Sequence, residues 1–357
     1  MIASFAHRAR PRTFAIFVCG IALATGLPLT PPLHAQAPAT TRATIRNTYR
    51  TDVRLPDERM RDSSIWVDQA AGIYTLVTAS GYRGPNGRHA VVAFTSNDLT
   101  AWQGPRVIFE VPADFWAQNG IWAPELHAYR GKFYLFLTFN TDDLLPEQWR
   151  DWLPRVKRAS QVLVGDSPFG PFVPFANHST LAPDMMTLDG TLFEEDGVPY
   201  MVFAHEWVQI KDGTIEYVQL TPDLSATFGE PKRLFHGSDA PWTRKNPEFG
   251  STVTDAPWFH RTHTGQLLML WSSFGEGNYT VGIATSRSGK LAGPWDQQPE
   301  PLYAKDGGHP MLFRRLGDNQ LMMILHSPNK DVERSQLFEI EDIGTTLRVK
   351  SRWPAQP

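Results

Sequence analysis

The sequence predicts an all-β protein and, within that class, a five-bladed β-propeller. Three observations carry this. Five similar units follow one another over residues 61–349, spaced by roughly 50–65 residues, a period typical of propellers and solenoids. Each unit is punctuated by Gly- or Asp-containing turns beside strongly apolar stretches, the pattern of short strands joined by hairpins. Beyond the N-terminal leader, no stretch shows an amphipathic helical period of useful length. With 27 Gly and 29 Pro in 357 residues the chain is rich in turn formers. A two-sheet sandwich would not account for five similar turns in register.

The first element is not part of the repeat. Arg8, Arg10 and Arg12 precede an apolar run over residues 14–27, too short to span a membrane, and Leu33-His34-Ala35 offers a cleavage site. Residues 1–35 therefore read as a signal peptide. Residues 36–55 read as a loose Ala/Thr/Pro-rich lead-in, and 56–357 as the propeller. The single cysteine, Cys19, lies in the leader, so the mature chain carries none. This suits export to a bacterial periplasm or to the extracellular medium without disulfides. A net charge of -3 offers no basic field to nucleic acid, and the mature form has no membrane segment.

The second strand of each unit gives the clearest signal. These strands are Gly72-Ile73-Tyr74-Thr75-Leu76-Val77, Gly131-Lys132-Phe133-Tyr134-Leu135-Phe136, Gly197-Val198-Pro199-Tyr200-Met201-Val202, Gly265-Gln266-Leu267-Leu268-Met269-Leu270 and Asp318-Asn319-Gln320-Leu321-Met322-Met323. They are apolar on both faces, as expected of strands sandwiched between neighbouring sheets. Each unit then closes on a polar turn such as Ser96-Asn97-Asp98-Leu99 or Thr221-Pro222-Asp223-Leu224.

In a propeller the first strand of each blade lines the central axis, so polar residues at the starts of those strands converge on one pocket. The starts here are Arg61-Asp62-Ser63, Trp122-Ala123-Pro124-Glu125-Leu126-His127, Leu188-Asp189-Gly190-Thr191-Leu192-Phe193, Asp255-Ala256-Pro257-Trp258 and Gly307-Gly308-His309-Pro310. Four of the five carry an acid. Carboxylates crowded on a narrow axis shift one another's pKa, which separates an acid from a base. Glycoside hydrolysis needs such a pair.

These stretches together resemble glycoside hydrolase family 43, over the span of the five blades. The resemblance implies an inverting reaction in which Asp62 is the base and Asp189 tunes the acid and orients substrate. The family's acid is a Glu within Glu-Gly-Pro in blade four, where this chain has Asp255-Ala256-Pro257. Asp is one methylene shorter, and a misplacement of about 1 Å can cost roughly a hundredfold in rate. Three readings stay open here: Asp255 is the acid in a remodelled pocket, Glu206 of His205-Glu206-Trp207 supplies the proton, or the site is a noncatalytic sugar-binding propeller.

Around these acids, Trp122, Trp258 and Trp207 offer faces for stacking on sugars. Glu125 reads as substrate-binding or as a bond to backbone amides, and Arg314 or Arg315 as a contact to hydroxyls. The resemblance places His309 near an axial Ca²⁺ or Na⁺, held through waters; the chemistry itself requires no cofactor. The expected partner is an oligosaccharide or polysaccharide of the plant cell wall, hydrolysed by an α-L-arabinofuranosidase or β-xylosidase type of activity.

Overall fold

The computed structural model describes residues 47–354. The expected signal peptide, and most of the lead-in, lie outside the described residues. Five antiparallel sheets follow one another along the chain.

Blade one contains β2 (Ser64–Asp68), β3 (Ile73–Thr78), β4 (Ala90–Ser96) and β5 (Trp102–Glu110), with β1 (Arg50–Val53) added at its outer edge. Blade two contains β6 (Ile121–Tyr129), β7 (Lys132–Leu144), β8 (Val156–Gly165) and β9 (Val173–Pro174). Blade three contains β10 (Thr187–Glu195), β11 (Val198–His205), β12 (Thr214–Leu220) and β13 (Thr227–His236). Blade four contains β14 (Asp255–Arg261), β15 (Leu267–Phe274), β16 (Tyr279–Ser286) and β17 (Trp295–Gln297). Blade five contains β18 (Gly308–Arg314), β19 (Leu321–Ser327), β20 (Arg334–Asp342) and β21 (Leu347–Trp353). One short helix, α1 (Trp207–Ile210), interrupts the link between β11 and β12.

The polar turns that seemed to close each unit instead lead into a fourth, outer strand. Two of these outer strands are only two and three residues long, β9 and β17, and β13 is largely exposed. Their weak apolar pattern hid them from the sequence.

The innermost strands β2, β6, β10, β14 and β18 touch in ring order, and β18 returns to β2. Five apolar clusters fill the five gaps between blades. Phe94 and Leu76 of blade one pack with Phe313 and Ile324 of blade five, and Val202 of blade three packs with Trp271 of blade four. This is why the second strands are apolar on both faces: each face looks into a different gap. Among the described residues, no strand is shared between the two ends. Instead the segment before β2 closes the ring, with Met60 fully buried and its amide bonded to the carbonyl of Glu333 in blade five.

Four of the five innermost strands begin with the same irregularity. In blades two to five, two residues of the inner strand oppose one of its neighbour, between Trp122 and Glu125, Leu188 and Thr191, Asp255 and Trp258, and Gly308 and Met311. Such a bulge bends the strand and re-aims its side chains. At each bulge one residue takes a left-handed conformation: Ala123, Asp189, Ala256 and His309, at φ between 48 and 58°. Asp62, φ 51°, does the same just before β2. A non-glycine residue held there carries strain, which is typical of sites where a side chain must be presented in one direction.

Candidate active site

These five positions, and the five just before them, build the site. The left-handed positions form one ring: Asp62, Ala123, Asp189, Ala256 and His309. The preceding positions form another: Arg61, Trp122, Leu188, Asp255 and Gly308. Asp62, Asp189, Asp255, Glu206, Trp122 and His309 all line one cavity of about 550 Å³ on the axis.

Within the first ring, His309 stands between two carboxylates. Its Nδ1 is 3.4 Å from Oδ1 of Asp62 and 3.7 Å from Oδ2 of Asp189. Its amide donates to Ser272 Oγ at 2.9 Å. Asp62 is further flanked by Nε of Arg61 at 3.3 Å and by Nδ1 of His326 at 3.0 Å. Asn329 holds both of these neighbours: Arg61 donates to its Oδ1 at 3.0 Å, and His326 Nε2 lies 3.3 Å from the same oxygen. Burial opposes ionisation of Asp62, yet Arg61, His309 and His326 together outweigh it and hold its carboxyl far below the usual carboxylate range.

Asp255 and Asp189 experience the opposite. Asp255 is pushed up to about 6, chiefly by burial, with Asp62 and Glu206 adding to the rise while Tyr279 and Arg61 oppose it. Tyr279, on β16, donates from its hydroxyl to Oδ2 of Asp255 at 2.7 Å. Asp189 is also raised, by burial first and then by the charges of Asp255 and Asp62. The amide of Ala256 donates to Oδ2 of Asp189 at 3.0 Å, and the amide of Asp189 donates to Thr138 Oγ1 at 2.9 Å. One carboxyl in the cavity is thus held ionised while two others favour a proton, the asymmetry that acid–base chemistry requires.

Glu206 stands just before α1, makes no side-chain bond to its amides, and is buried. Nη1 of Arg158 donates to both of its oxygens at 2.5 Å. Burial raises Glu206 even so, with Arg158 pulling the other way. Arg158 also donates to Asn140 and lies 4.4 Å from the centre of the Trp122 ring. Trp122 is 38% exposed and presents part of its ring to solvent at the cavity edge.

Other residues singled out in the sequence sit elsewhere. Glu125 is buried and its Oε2 lies 2.9 Å from Nε2 of His127. His127 in turn stacks on Trp258 at 5.9 Å, and Trp258 packs against the apolar clusters on either side of blade five. Trp258 follows Asp255 by three residues, which along an extended strand is about 10 Å. Arg314 ends β18 and is exposed, with its Nη1 donating to the carbonyl of Asn319, and Arg315 pairs with Asp318 and Glu339. Neither arginine reaches the cavity. Trp207 does line it, and so does Phe249, which the sequence did not suggest.

Three further residues escaped the sequence: Tyr279, His326 and Arg158. Tyr279 begins a third strand, His326 lies late in a second strand, and Arg158 is on β8. Tyr279 and His326 stack at 5.7 Å with an interplanar angle of 19°. The Leu325-His326-Ser327 step, a polar pair ending an apolar strand, is the one local signal that could have found His326.

Among the described residues, no group of three or more His, Cys, Asp or Glu side chains is arranged to hold a metal ion. His309 turns Nδ1 to carboxylates rather than into an open coordination site. These residues do not fit a directly coordinated ion.

A closed five-blade ring with an axial cavity of unequal carboxyls defines a carbohydrate-active propeller. The chain belongs to glycoside hydrolase family 43: the family model described as glycosyl hydrolases family 43 matches residues 57–341. Among solved structures it is similar to an endo-arabinase from Bacteroides thetaiotaomicron VPI-5482. Identity there is 36%, TM-score 0.72, with 82% of this chain and 98% of that one covered. An exo-1,5-alpha-L-arabinanase from a bovine ruminal metagenomic library shares the fold at 17% identity and TM-score 0.57, covering 82% and 97%. Alpha-L-arabinofuranosidase B of Pyricularia oryzae is 24% identical over 196 residues, 52% of this chain but only 37% of that enzyme's length.

Proposed function

We propose that the protein is an inverting glycoside hydrolase that cleaves arabinofuranosyl or xylosyl linkages in plant cell-wall polysaccharide. Asp62 acts as the base that deprotonates water, and Asp255 as the acid that protonates the glycosidic oxygen. Asp189 raises the proton affinity of that acid and anchors its backbone through Ala256. The observation that carries this is the asymmetry between Asp62, kept ionised by Arg61, His309 and His326, and Asp255, pushed up to about 6.

The same geometry favours Asp255 over Glu206 as acid. Both oxygens of Glu206 accept from Arg158, whose charge opposes its protonation. Glu206 instead positions Arg158 beside Trp122 at the cavity edge. Arabinan-type substrates are favoured by the similarity to the Bacteroides endo-arabinase.

The test is turnover of aryl α-L-arabinofuranosides and β-xylosides by the parent and by Asp62→Asn, Asp255→Asn and Glu206→Gln. Proton NMR of the first-formed anomer reads the stereochemistry. A product with retained configuration would overturn inversion. A parent that binds these sugars but turns over none of them would make the propeller a noncatalytic binder.

A further inference from the structure

Tyr279 brings a neutral hydroxyl into the cluster of carboxyls. It begins β16, lines the axial cavity together with Asp62, Asp189 and Asp255, and is 2% exposed. Its ring is wedged in place. Phe274 lies 5.3 Å from it at 52°, and His326 lies 5.7 Å away and nearly parallel. Gly308 leaves room for its edge, since a Cβ there would stand 2.2 Å from the ring. The backbone is fixed as well: the Tyr279 amide donates to Oδ1 of Asp306 at 3.3 Å, and its carbonyl accepts from the amide of Gly307 at 2.9 Å. Ring and backbone thus hold the hydroxyl against Asp255, where it donates to Oδ2 at 2.7 Å.

A hydrogen bond of this length between two oxygens can carry a proton either way. The hydroxyl donates while Asp255 is ionised. Once Asp255 takes up a proton, its Oδ2 becomes the donor, and the hydroxyl is released to turn its own hydrogen into the cavity. That hydrogen is firmly held. Burial first, then the charges of Asp255, Asp62 and Asp189, push the Tyr279 phenol well above its ordinary range, with Arg61 opposing them. The hydroxyl also extends the reach of Asp255. An aspartate stops about 1.5 Å short of a glutamate at the same position, and one hydrogen-bond step through Tyr279 is longer than that shortfall.

We infer that Tyr279 is a catalytic residue, which passes the proton of Asp255 to the glycosidic oxygen. The inference rests on the reading of Asp255 as the acid. As the bond between the anomeric carbon and the glycosidic oxygen breaks, its electron pair stays on the oxygen, which takes the hydrogen of the Tyr279 hydroxyl. In the same step the phenol oxygen takes the proton of Asp255. Tyr279 ends as it began, and Asp255 ends ionised. On the other face, water bonds to the anomeric carbon and loses a proton to Asp62. No free phenolate forms, which suits a phenol so reluctant to ionise. Tyrosine is among the side chains that serve as general acids when so positioned.

The experiment measures kcat/KM on α-L-arabinofuranosides and β-xylosides whose leaving groups run from dinitrophenol to unsubstituted phenol and to a sugar hydroxyl. Tyr279→Phe is expected to lose about a hundredfold on the sugar leaving group and little on dinitrophenol. The double variant Tyr279→Phe/Asp255→Glu is expected to recover most of that loss, because the longer acid reaches the oxygen unaided. If Tyr279→Phe keeps the parent's leaving-group dependence, even with a shifted pH profile, the relay is overturned and Asp255 stands as the direct donor. A double variant no better than the single overturns it too. Melting temperatures are measured alongside. If Tyr279→Phe does not fold, a fluorotyrosine placed at position 279, close in shape but more acidic, is expected to flatten the leaving-group dependence; an unchanged dependence overturns the relay. A parent that turns over none of these glycosides overturns the hydrolase reading and the relay together.

Discussion

The amide of Ala256 donates to Oδ2 of Asp189 at 3.0 Å, so the residue that follows Asp255 is tied to a carboxylate in the neighbouring blade. The two bulges that present Asp189 and Asp255 are locked to one another across the axis. This places Asp189 where one side chain both titrates beside the acid and sets the position of its backbone.

Asp189→Asn keeps the shape but removes the titrating carboxyl, and its Nδ2 has no acceptor in the amide of Ala256. We expect kcat to fall by roughly 10²–10³, within the usual range for general acid–base groups. The alkaline limb of kcat/KM should move, because Asp189 no longer titrates together with Asp255. A fall in kcat with an unmoved limb would reduce Asp189 to a backbone anchor.

The pH profile of the parent should be acid-weighted. Asp62 must be ionised, and it stays so down to strongly acid pH, since its carboxyl is held far below the ordinary range. Asp255 must be protonated, so activity is expected to decline as pH rises through about 6. The limb belongs to the coupled Asp189–Asp255 pair, not to one residue. Stopped assays of kcat/KM across pH, at constant ionic strength, check it.

Tyr279→Phe removes the hydrogen bond that stabilises ionised Asp255. The acid then holds its proton to higher pH, and the alkaline limb shifts upward. Gly308→Ala reaches the same hydroxyl differently. A Cβ at Gly308 would stand 2.2 Å from the Tyr279 ring and 2.9 Å from Ser272 Oγ. Overpacking of this kind costs about 1–3 kcal/mol, and a lower melting temperature together with a shifted limb is the expected result.

Asp255→Asn and Glu206→Gln should separate by leaving group. Without its acid the enzyme loses most on substrates whose leaving oxygen needs a proton and least on activated aryl glycosides such as dinitrophenyl glycosides. We expect a loss of roughly 10²–10⁴ on unactivated oligosaccharides for Asp255→Asn, with a smaller loss on activated ones. Glu206→Gln should lower both alike. If Glu206→Gln shows the leaving-group dependence and Asp255→Asn does not, the two roles are exchanged.

Arg158→Leu leaves Glu206 buried without its partner. Breaking a buried ion pair from one side costs about 3–5 kcal/mol. Denaturant unfolding should report most of that loss. The double variant Arg158→Leu/Glu206→Leu should recover much of it, since no charge is left stranded.

The sequence by itself determined the architecture. Alternation, turn residues and repeat spacing are local properties, and Gly72, Gly131, Gly197 and Gly265 do take the left-handed turn conformation expected of them, with Asn319 in the same role in blade five. It also brought out Asp62, Asp189, Asp255 and His309, because each stands at the head of an innermost strand and the ring brings all such heads to one axis. Only the tertiary structure decided which of the remaining candidates meet them. Trp258 and Arg314 share strands with Asp255 and His309 but lie farther along, and an extended strand carries each successive side chain about 3.3 Å away. Tyr279, His326 and Arg158 come from second and third strands, whose side chains meet the carboxyls of the cavity only through the local pairing and bend of each blade. The assignment of a low carboxyl at Asp62 and high ones at Asp189 and Asp255 depends on those partners. It is a property of burial and of distances of a few ångströms between residues up to 264 positions apart, Asp62 and His326 among them, and no pattern along the chain encodes it.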